Sequence, residues 1–311
     1  MTYRIMLRSL AGLALLAASA TQVSAQTIAR NRIDTTFAFG RGGWLDVSSL
    51  SGNVVVTGWT RPEARVIARI ERGTIEASLS DSRITLSPRP ERNSRSRNRI
   101  GEAYFEVSVP VGTRVMVTAT AGDVRIRGTA AEVQATTAAG NIEVIDATDR
   151  IEIQSIAGDI RLERATGRVR IMTTSGDMTL SDIKGAIDIR AVSSDMELRR
   201  VESSDVRLGT TSGDLTYEGT VDPRGTYEFN THSGDVRFAM PEGGSATLSL
   251  STFNGDIQSA FPMLLQPGEN IAQRRGRRME FAVGSGGARV TISTFSGDII
   301  IERGYARSPR E

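Results

Sequence analysis

Ten Asp or Asn residues recur at near-fixed spacing, and they are the first place to look for chemistry. Asn53, Asp123, Asn141, Asp159, Asp177, Asp195, Asp214, Asp235, Asp256 and Asp298 each follow a glycine or, at one copy, Ser194. From Asp123 the steps are 18, 18, 18, 18, 19, 21, 21 and 42 residues, the last being two periods of 21. A column of carboxylates could bind Ca²⁺, as hard oxygen ligands in repeat β-rolls do. That chemistry needs Gly-Gly-x-Gly-x-Asp about every nine residues, a pattern this chain lacks. Asn53 and Asn141 also fill the slot without a charge. A side chain that closes a turn by hydrogen bonding explains Asp and Asn alike, with glycine supplying the positive φ. The ten are therefore read as a structural turn ladder, and no metal site and no cofactor is assigned.

Other reactive residue types are sparse. His232 is the single histidine, three residues before Asp235, and the chain has no cysteine, so no zinc ligand set can be assembled. The many Ser and Thr hydroxyls have no partnered base that would make a nucleophile. No catalytic residue is assigned. Phe253 and Phe295 stand in the same slot as His232, and the three form a candidate ligand patch. Arg274, Arg275, Arg277 and Arg278 follow an apolar run, Phe261 to Leu265. They are a candidate basic contact for anionic lipid or acidic polysaccharide, or part of a cap. Arg89, Arg92, Arg95, Arg97 and Arg99 lie in a Ser/Asn-rich run and read as a solvated loop.

Strands must position these residues. Counting from the Asp or Asn as position 0, positions −8 and −6 are apolar in nearly every copy, as in Ile151/Ile153, Val169/Ile171 and Val290/Ile292. Positions +1 and +3 behave likewise, as in Ile142/Val144, Ile160/Leu162 and Ile299/Ile301. Period-two alternation means strands with one buried face. Self-similarity at this period means coils stacked on one another. Position −4 is always small (Thr137, Ser155, Thr173, Thr210), as an inward corner requires. At position −7 successive copies read Glu152, Arg170, Asp188, Arg207, Glu228. The sign alternates at each step, as expected where equivalent positions stack about 4.8 Å apart.

The expected fold is all-β: a parallel β-solenoid, β-helix-like, with two short strands per 18–21-residue coil and a small N-terminal β cap. It should hold nine or ten coils, be roughly 45 Å long, and coil right-handedly. Residues 26–115 form the opening coil and further strands at 65–70, 74–79, 83–86 and 104–110. Residues 116–303 form the repeats, and 304–311 a tail. Residues 259–287 interrupt the ladder as a loop insertion. There Phe281-Ala-Val-Gly-Ser-Gly-Gly echoes Phe238-Ala-Met-Pro-Glu-Gly-Gly, so the interval reads as a coil whose Gly-Asp corner was replaced by the arginine cluster.

Residues 1–25 read as a secretory signal peptide. Arg4 and Arg8 are followed by an apolar stretch and Val23-Ser24-Ala25. Export to the periplasm or cell surface is expected, with no transmembrane segment after cleavage. Removing the two arginines leaves 38 − 2 = 36 basic residues against 36 acidic ones. Such a balance gives no general pull toward nucleic acid.

The order of Ser51-Gly-Asn-Val-Val-Val-Thr-Gly-Trp59, Val109-Pro-Val-Gly-Thr113, the Gly-Asp ladder and the closing run from Gly286 to Ile299 resembles the bacterial "putative adhesin" family of β-strand-repeat proteins of unknown function. The resemblance spans about residues 34 to 303. It implies an exported β-solenoid and supplies no catalytic residues. The function expected is a non-enzymatic envelope scaffold that binds an unidentified polysaccharide, lipid surface or protein. The alternative is a polysaccharide-binding or polysaccharide-degrading β-helix protein, which would need paired carboxylates in a groove.

Overall fold

A computed structural model describes residues 26–90, 100–262, 264–265 and 279–304. These residues form an all-β structure with no helix, built from solenoid-like repeats. The signal-peptide region and the arginine cluster 274–278 lie outside the described residues, as do Arg92, Arg95, Arg97 and Arg99.

The repeats form because each coil can bury its apolar columns only against its neighbours. β9 (Arg114–Ala121), β11 (Val133–Ala139), β12 (Ile142–Ala157) and β13 (Ile160–Ser175) pair in parallel at a one-repeat offset. Val133 lies against Ile151, and Ile151 against Val169. β10 (Val124–Arg127), β14 (Met178–Lys184), β15 (Ile187–Arg190), β16 (Met196–Ser212) and β17 (Leu215–Ser233) continue the same register. Ile142, Val144, Ile151 and Ile153 are buried, as are their counterparts in the other coils except that of Asp256, where Ile257 is only partly buried. Each such side chain contributes about 1.5–3 kcal/mol when fully buried. Where the step lengthens from 19 to 21 residues, the core switches from aliphatic to aromatic. Tyr217, Tyr227, Phe229 and Phe238 fill the wider coil, Tyr217 stacking on Phe238 at 5.3 Å. Burial raises the pKa of the Tyr217 and Tyr227 phenols, and Tyr227 donates to the Ser203 carbonyl at 2.5 Å.

The N-terminal segment covers one end. β3 (Trp44–Ser51) and β4 (Val54–Trp59) make the coil of Asn53, stacked directly on the coil of Asp123. β7 (Arg83–Arg89) and β8 (Ala103–Pro110) pair on its outer side. β1 (Gln26–Arg30), β2 (Arg32–Ala38), β5 (Glu63–Ile70) and β6 (Thr74–Leu79) add antiparallel pairings there.

Asp46 of β3 sits between Thr85 and Met116. Partial burial raises its pKa from the ordinary 3.8, against the lowering effect of Arg83. A carboxyl with a raised folded-state pKa favours folding only in its protonated form, so stability falls as the pH rises through that value. Asp46→Asn is expected to raise the melting temperature at pH 7, with the gain fading as the pH drops below the carboxylate range. Melting curves at the two pH values check this.

The far end departs from sequence order. β23 (Ala288–Ser296) lies between β17 and β19 (Ala246–Asn254), parallel to both. β24 (Ile299–Gly304) lies between β18 (Val236–Pro241) and β20 (Ile257–Ser259). The last coil in sequence is thus inserted between the coils of Asp235 and Asp256. The 42-residue step is one rung of the stack and not two periods. β22 (Met279–Val283) runs antiparallel along the outer side of β19, with Phe281 opposite Leu248, and β21 (Leu264–Leu265) pairs on β22. The 259–287 interval is therefore no cornerless parallel coil. Its described strand β22 instead runs back along β19 before the chain enters the inner slot.

Candidate functional site

The turn ladder is a hydrogen-bond ladder between coils. The Asp123 N–H donates to Asn53 Oδ1 at 3.1 Å, and Asn141 N–H to Asp123 Oδ1 at 3.1 Å. Asp159 donates to Asn141 at 2.9 Å, Asp177 to Asp159 at 3.0 Å, Asp214 to Asp195 at 2.8 Å and Asp235 to Asp214 at 2.8 Å. The series closes with Asp298 to Asp235 and Asp256 to Asp298, both 2.8 Å. Asn and Asp make the same bond, as the turn reading requires. The partner is the N–H of the next coil, where a local turn would use a group two residues on.

The step from Asp177 to Asp195 lacks this bond, and it coincides with the one copy that has Ser194 in place of glycine. Gly158 (φ 119) and Gly176 (φ 111) show the left-handed backbone usual at this corner, whereas Ser194 does not adopt positive φ. The Ser194 Oγ is buried without a partner. Ser194→Gly is expected to complete the ladder and add about 1 kcal/mol, the net worth of one such bond. Thermal melting checks it, and a lower melting temperature would contradict it.

Immediately before the ladder runs an uncharged edge. The −4 side chains point inward, and their hydroxyls bond backbone carbonyls: Thr210 Oγ1 to Ser212 O at 3.0 Å and Thr252 Oγ1 to Gly297 O at 3.0 Å. The −3 residues skip the ladder pairing, which joins −4 to −4 and −2 to −2, and they turn outward. In stack order they are Leu50, Thr120, Ala138, Ile156, Thr174, Val192, Thr211, His232, Phe295 and Phe253. Phe253 and Phe295 are 59% and 47% exposed, and Ile156 59%.

The candidate patch is brought together, in an order sequence alone does not give. His232 stacks on Phe295 at 4.8 Å and 10°, and Phe295 on Phe253 at 4.9 Å and 5°. Phe295 is the middle ring because the last coil occupies the inner slot.

On the strand face the −7 column is in register, Glu152 beside Arg170, then Asp188, Arg207 and Glu228. Of these steps only Arg170–Asp188 closes to an ion pair, at 3.5 Å. Arg125–Glu143 does the same in the +2 column at 3.6 Å. A third charge column lies at the opposite corner. Asp146, Arg164, Asp182 and Arg200, at position +5, all have positive φ (59°, 50°, 57° and 53°). Arg164 clasps Asp146 at 2.6 and 3.0 Å, and Arg200 clasps Asp182 at 2.8 and 2.6 Å. These bonds raise the pKa of both arginines. Their alternating sign was visible in the sequence, by the same test that exposed the −7 column. Arg200, Glu202, Glu218, Pro241 and Gly304 line a pocket of about 310 Å³ beside this corner.

Comparison with known proteins places the chain in context. No curated protein matches it. A "putative adhesin" from Bacteroides fragilis is similar at 13% identity and a TM-score of 0.40, covering 89% of this chain and 98% of that one. A "putative cell adhesion protein" from Clostridium sporogenes is similar at 11% identity and a TM-score of 0.17, covering 88% and 99%. Residues 27–182 and 130–302 both match one family, so the match covers nearly all of the repeats and the N-terminal strands. The chain belongs to the Toastrack DUF4097 family.

Proposed function

We propose that this chain is an exported, non-enzymatic scaffold, a parallel β-solenoid with two strands per coil, that performs adhesin-like binding of another component of the bacterial envelope. The observation that carries this reading is the −3 column. Ten successive coils present one outward side chain each along a single edge, none of them acidic, lysine or arginine. Five of the ten, Leu50, Ile156, Val192, Phe295 and Phe253, are large apolar side chains left in water, with the two phenylalanines contiguous, and a contiguous exposed apolar patch is the usual mark of a contact surface. The stacked His232, Phe295 and Phe253 rings give that line a rigid end.

The test uses the mature protein against envelope polysaccharides, lipid vesicles and whole cells, with and without Ca²⁺. Calcium-independent retention on one class, lost in Phe253→Ala/Phe295→Ala, supports the reading. Turnover of a polysaccharide would overturn it in favour of an enzyme.

A further inference from the structure

We propose that the −3 edge is a docking surface for a basic polypeptide segment carrying apolar side chains between its cations. This rests on the scaffold reading and names the chemistry of the partner. The apolar ridge alone fits many occupants, and the charge pattern beside it selects among them.

Three residues from the ridge runs the ladder, with eight aspartates in its ten rungs. Only Asp123 has a cation close by among the described residues, Arg125 at 3.1 Å. Among the described residues, Asp159, Asp177, Asp195, Asp214, Asp235, Asp298 and Asp256 have no ion-pair partner. Some described acids elsewhere on the surface are paired, Asp146 with Arg164, Asp182 with Arg200, Glu143 with Arg127 and Glu202 with Lys184, and others such as Glu152 and Glu228 are not. What sets the ladder apart is that its unpaired acids are stacked in one unbroken row. The seven uncompensated carboxylates occupy consecutive rungs about 4.8 Å apart, where like charges repel.

The fold does not require that charge. Asn53 and Asn141 accept the same inter-coil bond, at 3.1 and 2.9 Å, as the aspartates do at 2.8 to 3.1 Å. Asparagine at every rung would keep the ladder and remove the repulsion. Retained carboxylates beside an exposed apolar column complement a partner with cations and apolar groups side by side. An anionic membrane or acidic polysaccharide would meet the wrong sign. A neutral polysaccharide would leave the charges unanswered. A second copy, edge to edge, would oppose two rows of aspartate.

The probe is a short labelled peptide alternating lysine and leucine, with a glutamate–leucine peptide as control, titrated against the full mature protein. The lysine peptide should bind, more weakly as salt rises, and the glutamate peptide should not. Asp159→Asn/Asp177→Asn/Asp195→Asn/Asp214→Asn should lower affinity roughly tenfold or more, four surface ion pairs being lost together. Its melting temperature should match or exceed the parent's, which separates lost charge from lost fold. Phe253→Ala/Phe295→Ala should weaken binding at every salt concentration. No binding, equal binding of both peptides, or a four-Asn variant that binds like the parent overturns the proposal. Ridge-dependent retention on a neutral polysaccharide, or self-association through this edge, overturns the occupant and leaves the scaffold reading standing.

Discussion

Gly158→Ala is expected to unfold the repeats on either side of it. Gly158 has φ 119, a conformation reserved for glycine, and a Cβ there would lie 2.3 Å from the Gly140 carbonyl oxygen. Backbone strain alone costs about 1–3 kcal/mol. The clash is with backbone, which cannot swing away. The glycine column stacks rung on rung, Gly140 over Gly122 and Gly176 over Gly158 at the same separation, so displacing one corner shifts the next. The Asp159–Asn141 and Asp177–Asp159 bonds would break with it. Thermal melting and hydrogen exchange across β12 and β13 measure the effect. A variant that melts like the parent would show that the corner can adopt another path, as it does at Ser194.

Removing residues 288–311 is expected to have an effect as large, although it deletes the last repeat in sequence. In a stack that followed sequence order the final coil would be an end, and its loss would fray one edge. Here β23 and β24 are interior, each paired on both sides. Val290, Ile292, Ile299 and Ile301 are all buried. At 1.5–3 kcal/mol each they account for about 6–12 kcal/mol, comparable to the stability of a whole domain. The truncated chain should lose exchange protection in β17 to β19, inward from the gap. Protection of β19 and β20 equal to that in the full chain would contradict the inserted arrangement.

Much of this architecture was legible in the residues, for identifiable physical reasons. Alternation at Ile151/Ile153 and Ile142/Val144 reports a buried strand face whatever lies on that face. The sign changes from Glu152 to Glu228 report stacking in register, because only stacked positions meet. The shared slot of His232, Phe253 and Phe295 puts all three on one edge, because equivalent positions stack. What could not be read was which coil neighbours which. Each coil presents the same pairing edge, so the Asp298 coil fits on Asp235 as well as the Asp256 coil would. Nothing local to residues 288–304 distinguishes the inner slot from the outer. The same limit hid the ring order in the candidate patch and the bond from each Asp to a residue at least 18 positions away. The +5 corner escapes a search for turn glycines because Asp146 and Arg164 hold a backbone conformation usually left to glycine, and their mutual ion pair compensates for it.

The ring order His232, Phe295, Phe253 along the edge exists only if the last coil sits inside the stack. The chain has no cysteine, so introduced pairs report cleanly. Ser296 is the direct neighbour of both Ser233 and Asn254. Ser233→Cys/Ser296→Cys and Asn254→Cys/Ser296→Cys should each oxidise readily, at a separation near 4.8 Å within disulfide range. Ser233→Cys/Asn254→Cys, two rungs or about 9.6 Å apart, should stay reduced. Ready oxidation of the Ser233–Asn254 pair with failure of the other two would restore sequence order to the stack and place Phe253, not Phe295, beside His232.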